Sequence, residues 1–68
     1  MKILLNNRNE VFDNYEEISV EQLLKVKNFT FPMIIVKINE KLIKKENYST
    51  SIIKNGDIVA AIHLISGG

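Results

Sequence analysis

One stretch of this chain reads as a full helix, and that limits the fold more than any other feature. Ser19 is followed three residues later by Gln22. At that spacing the Ser19 side chain accepts a hydrogen bond from the backbone N–H of Gln22, and Gln22 reaches back to the N–H of Ser19. Ile18 before the cap and Leu23 after it have the spacing of a hydrophobic staple. Glu21 in the first turn and Lys25 and Lys27 near the last suit the helix dipole. Val20, Leu23 and Leu24, with Val26, supply an apolar stripe. The pattern predicts a helix over 20–27, and Pro32 keeps Phe31 out of helical angles beyond it. A single short helix covers one face of one sheet, so the expected architecture is a two-layer α+β domain.

The remaining segments supply the sheet. Ile3-Leu4-Leu5 ends at Asn6-Asn7, and Asn tolerates left-handed backbone angles, so residues 2–6 are expected to pair with about 10–14 as a hairpin. Ile34, Ile35, Val36 and Ile38 form a β-branched strand whose alternation sends Ile34, Val36 and Ile38 inward and Lys37 outward. Asn39-Glu40 is a two-residue turn candidate, with Leu42-Ile43 as a short return strand. The polar stretch from Lys44 to Ser51 is expected to be irregular, with a helical turn near 46–48, anchored by Ile52 and Ile53. Asn55-Gly56-Asp57 is a strong turn signal, and a last strand runs from Ile58 to Ile65. Hairpin, helix and further strands in this order make a β-grasp, or ubiquitin-like, arrangement. Its mixed sheet of four to five strands packs on one main helix, with the first and last strands parallel in the middle. The expected division is a domain over 1–65 and a flexible tail over 66–68.

Composition removes whole classes of function. The chain has 68 residues and no cysteine, which excludes disulfide scaffolding, thiolate zinc sites and thiol catalysis. Nine basic and eight acidic residues give a net charge of +1, so the chain lacks the basic excess of a nucleic-acid surface. No apolar run approaches the roughly 20 residues of a membrane span. The opening Met1-Lys2-Ile3-Leu4-Leu5-Asn6 turns polar too early for a signal peptide. A cytoplasmic protein is the expectation.

Conventional catalytic groups are sparse. His63 is the single histidine and falls in the last strand. Glu16-Glu17 are sequence neighbours on a loop, and Lys37, Lys41, Lys44 and Lys45 suit a solvated strand edge. The closing Ser66-Gly67-Gly68 is more informative, because two of the three glycines in the chain stand there together. Without Cβ atoms, a glycine pair threads a narrow channel and brings a carboxylate against an ATP phosphate. The reactive group would be the α-carboxylate of Gly68, with Gly67 and Ser66 giving access. The last strand is apolar on both sides. If Val59 and Ala61 face the helix, Ala60 and Ile62 line the open face with Ile35 and Leu4 as neighbours. Such a patch beside a reactive tail would be a docking surface.

Taken together, Met1-Lys2-Ile3-Leu4-Leu5-Asn6-Asn7, Ser19-Val20-Glu21-Gln22-Leu23-Leu24, Ile35-Val36-Lys37-Ile38-Asn39, Lys54-Asn55-Gly56-Asp57-Ile58-Val59 and Ser66-Gly67-Gly68 make the chain resemble the ThiS family, the small sulfur carriers of thiamine biosynthesis. The resemblance implies a non-enzymatic carrier without a bound cofactor. A ThiF-like enzyme uses ATP to adenylate Gly68, sulfur from a donor such as a cysteine desulfurase converts it to a thiocarboxylate, and a ThiG-like thiazole synthase receives the sulfur. Leu4, Ile35, Ala60 and Ile62 would then form the partner-binding surface. A MoaD-like carrier for molybdopterin synthesis, or a β-grasp binding or modifier module without sulfur transfer, stands as the alternative.

Overall fold

A computed structural model describes residues 1–30 and 32–64. The elements run β1 (Lys2–Leu5), β2 (Arg8–Val11), β3 (Glu17–Ser19), α1 (Val20–Val26), β4 (Ile34–Ile38), β5 (Lys41–Ile43), a 3₁₀ turn (Lys45–Asn47), β6 (Ile52–Lys54) and β7 (Ile58–His63). Five strands form the main sheet in the order β2-β1-β7-β4-β5, and β3 and β6 form a small second one. β1 and β7 are parallel and central, with Leu4 beside Ile58 and Leu5 beside Val59. β7 is antiparallel to β4 on its other side. This is the β-grasp.

Both hairpins turn on paired residues in the left-handed region. Asn6 and Asn7 have φ of 51° and 65°, and Asn39 and Glu40 have φ of 50° and 70°. Two consecutive positive φ values give the turn whose twist matches that of its flanking strands. The first hairpin therefore starts again at once, with Leu5 opposite Arg8 and Lys2 opposite Val11. The expected partner segment at 10–14 lies too far along the chain. Phe12 falls just past the strand, buried, with its ring edge-on to Tyr15 at 6.4 Å.

At seven residues, α1 is too short to persist in water alone, so its stability comes from packing and caps. Val20 and Leu23 are fully buried, at a typical gain of about 1.5–3 kcal/mol for a complete aliphatic side chain. The N–H of Gln22 donates to Ser19 Oγ at 3.1 Å, but the return bond from Gln22 does not form. The loop over 44–51 supplies what is missing: the N–H groups of Val20 and Glu21 donate to the carbonyls of Ser51 (3.0 Å) and Tyr48 (2.9 Å). That loop is ordered because its carbonyls complete the helix start. At the other end Asn28 takes φ 58°, the Asn28 N–H reaches the Lys25 carbonyl, and the Phe29 N–H reaches the Leu24 carbonyl. These two bonds are a Schellman closure, with Asn in the place usually held by glycine.

The core lies between α1 and one face of the main sheet, with Ile3, Leu5, Val36, Val59 and Ala61 from the sheet and Ile18 and Ile53 from the small sheet. Two expected core contributors are displaced outward: Val26 is 46% exposed, and Ile52 is exposed while its neighbour Ile53 is fully buried. Alternation explains the second case, since Ile53 pairs with Ile18 and only one of two adjacent strand residues faces the core. Lys27 Nζ lies 2.7 Å from Glu10 Oε1 and ties the end of the helix to β2.

Candidate functional site

The helix leaves one face of the main sheet uncovered, and the register fixes which residues occupy it. Val59 and Ala61 are buried toward α1, so Ile58, Ala60 and Ile62 of β7 point the other way. Ile35 stands opposite Ile62, and Lys37 opposite Ala60. Leu4 stands beside Ile58, and Leu42 of β5 opposite Lys37. Val11 joins them at the far edge, opposite Lys2. The apolar stripe crosses the whole sheet. Leu4, Ile35 and Ala60 are half-buried, whereas Ile58 and Ile62 are 56% and 53% exposed. Between Ile35, Lys37, Ala60 and Ile62 lies a shallow depression of about 240 Å³.

All four residues expected on this face, Leu4, Ile35, Ala60 and Ile62, are on it. Alternation also sends Lys37 outward, but the expected partner-binding set does not include it, nor Ile58, Leu42 or Val11. Alternation outward from the Asn39-Glu40 turn carries the signal for Leu42, since it places Leu42 on the side of Lys37.

The strand that carries Ala60 and Ile62 is also the one leading toward Ser66-Gly67-Gly68. Those three residues, and Ile65 at the expected end of the strand, lie outside the described residues. Up to that point β7 is held on both edges. On the β4 side, the Leu64 N–H donates to the Met33 carbonyl at 3.0 Å. On the β1 side, the Asn6 N–H donates to the Val59 carbonyl at 2.9 Å, and there the β1 backbone turns away. The Asn6 side chain continues the ladder in its place. Its Oδ1 accepts from the Ala61 N–H at 2.8 Å, and its Nδ2 donates to the Ala61 carbonyl at 3.1 Å. One carboxamide thus fills the position of the next rung of the parallel pair. Sequence reasoning took Asn6 only as a turn residue. A contact across 55 positions leaves no local signal.

The other sequence candidates do not converge. His63 lies opposite Ile34 at the exposed end of β7, and Glu16 and Glu17 are exposed around the start of β3. Among the described residues no three histidine, cysteine or carboxylate groups come together as a metal site. Among them, too, no helix is long and apolar enough to cross a membrane.

The ThiS family model matches residues 3–68. The chain belongs to the ThiS family. Among solved structures it is similar to the crystal structure of the thiamine biosynthesis protein ThiS from Geobacter metallireducens, with a TM-score of 0.90, 23% identity and the full length of both chains covered. It is also similar to the solution structure of a thiamine biosynthesis protein from Geobacter metallireducens, with a TM-score of 0.78 and 22% identity over all of this chain and 88% of that one. No curated protein matches it by sequence. At these identities the two structures establish the shared fold. The family assignment rests on the match over residues 3–68, which takes in both the open face and the closing glycines.

Proposed function

We propose that this chain is a sulfur carrier of thiamine biosynthesis whose reactive group is the α-carboxylate of Gly68. The observation that carries the reading is the ThiS family match through residue 68. It is supported by a fold in which the central strand β7 bears the open apolar face and then leads toward Ser66-Gly67-Gly68. The chain acts as a protein co-substrate in the cytoplasm and holds no cofactor of its own.

In the first step a ThiF-like enzyme binds the open face through Leu4, Ile35, Ala60 and Ile62. A Gly68 carboxylate oxygen attacks the α-phosphorus of ATP, forming an acyl-adenylate and releasing pyrophosphate. A persulfide donor supplied by a cysteine desulfurase then attacks the acyl carbon through its terminal sulfur and expels AMP. Reduction of the resulting acyl disulfide by a thiol leaves the thiocarboxylate, and a ThiG-like synthase receives the sulfur. Gly67 and Ser66 allow the carboxylate to enter the nucleotide site, since a glycine brings its backbone close where a side chain would clash.

Exchange of oxygen for sulfur raises the intact mass by about 16 Da, a covalent change confined to one terminus. Incubation with the activating enzyme, ATP, a sulfur source and reductant should produce that gain, and a variant lacking Gly68 should show none while melting as the parent does. An unchanged parent spectrum contradicts the proposal. Gly68 found instead in an amide bond to a lysine would make the chain a modifier.

A further inference from the structure

The uncovered face is apolar, but its charges are one-sided. Following the register outward from the buried positions, the strand residues that point to this face include two ionisable side chains among the described residues, Lys2 of β1 and Lys37 of β4; Arg8, Glu10, Lys41 and His63 fall on the helix side. The one acid in the five strands, Glu10, stands opposite the buried Ile3 on the helix side and is paired with Lys27. Asp57, in the turn before β7, has its carboxylate engaged by the Lys54 N–H at 2.8 Å and the Asn39 side chain at 3.1 Å. The outward-pointing strand residues of this face are therefore largely apolar and basic.

The two lysines differ in place. Lys2 lies at the far end of the sheet, in the β1 strand that starts beside the 55–57 turn. Lys37 stands in the middle, opposite Ala60, and lines the depression with Ile35, Ala60 and Ile62. Ala60 is the one small side chain among the outward residues of β7, which opens the floor of the depression beside the Lys37 stem. A lysine stem packs along such an apolar wall while its ammonium stays at the rim.

We propose that this depression is a two-part recognition site, Lys37 being its specificity-determining residue: a partner protein inserts one aliphatic side chain between Ile35, Ala60 and Ile62 and sets a carboxylate against the Lys37 ammonium. The proposal rests on the sulfur-carrier reading only for the choice of partner, the ATP-dependent activating enzyme. Docking excludes water from the depression, so the ion pair forms in a partly desolvated setting where a charge pair contributes more than at an open surface. An apolar partner face without the acid would leave the ammonium facing an uncharged surface and would be rejected. The stripe gives area, and Lys37 gives register and choice of partner.

The test measures binding of the purified activating enzyme from the same genome by calorimetry, at low and at high salt, using carrier lacking Gly68 so that no chemistry intervenes. Lys37→Ala should weaken binding about tenfold and flatten its salt dependence. Lys37→Glu should weaken it about a hundredfold, and Lys37→Arg should restore most of the affinity. Lys25→Glu, on the exposed face of α1, makes the same change in net charge and should stay within about twofold of the parent. Unaltered affinity and salt slope in Lys37→Ala overturn the proposal, as does an equal loss in Lys25→Glu, which would mean general steering by net charge. Lys37-dependent binding without the mass gain in full-length carrier would sink the sulfur-carrier reading and leave this site standing. Absence of binding by the parent removes both.

Discussion

The two faces of the central strand are built from the same residue types and do opposite things. Val59 and Ala61 point to α1 and are nearly inaccessible, while Ile58, Ala60 and Ile62 point away and remain open. Composition does not separate them, since both are aliphatic. The difference comes from supply: the described residues hold one α-helix, of seven residues, enough to cover one side of a five-stranded sheet. The covered face holds the domain together, and on the proposed function the open face offers the same chemistry to another protein. Substitutions that separate stability from docking test this division.

The largest loss should come from Leu23→Ala. Leu23 is fully buried beneath the sheet, and such truncations cost about 2–5 kcal/mol, a large share of the stability of a domain this small. Chemical denaturation should show a sharply lowered midpoint, and binding should fall only as the folded fraction falls. A marginal change would mean that the helix layer is not the clamp described here.

Next in size is Val59→Thr, which keeps the shape and adds a hydroxyl to the buried side of β7. A hydroxyl without a partner in an apolar core costs about 1–3 kcal/mol. Asn6→Gly should follow at about 1–2 kcal/mol, because glycine accepts the φ of 51° while both bonds to Ala61 are lost. Its signature is local: the Ala61 amide should exchange with solvent much faster, while amides of the separate β3–β6 pair, around Ile18 and Ile53, change little. Uniform acceleration would show that Asn6 serves global stability and does not pin the strand.

Much of this was legible in the sequence, for reasons that stop at identifiable points. Ser19, Leu23 and the alternation around Lys37 are local signals, and each gave the correct element and face. The parallel β1–β7 pair followed from element order alone. The second hairpin strand begins two residues earlier than the expected 10–14, because that expectation is built around its apolar residues, Val11 and Phe12. The turn chemistry of Asn6-Asn7 instead restarts it at the polar Arg8. The loop over 44–51 looked irregular because its role is played by carbonyls, which every residue type possesses. Leu4, Ile35, Ala60 and Ile62 were found by alternation. Asn6 was missed because its partners are backbone atoms 55 positions away. Ser66, Gly67 and Gly68 were singled out by composition, and the expected boundary after residue 65 lies outside the described residues.

The smallest effect on folding should come from the substitution matched to Val59→Thr on the other side of the same strand. Ile62 is 53% exposed, and threonine keeps its β-branch and its preference for extended backbone. With the hydroxyl free to meet water, Ile62→Thr should change stability by less than about 1 kcal/mol. The cost appears only when a partner covers the face. The hydroxyl must then be desolvated, a methyl group is missing from the wall of the depression, and affinity for the activating enzyme should fall about tenfold, or roughly 1.4 kcal/mol. Residues three positions apart on one strand, given the same side chain, should thus fail in different assays: Val59→Thr in the melt, Ile62→Thr in the titration. If Ile62→Thr also lowered the melting point as much as Val59→Thr, the open face would be contributing to the fold as the covered one does, and the separation of the two would not hold.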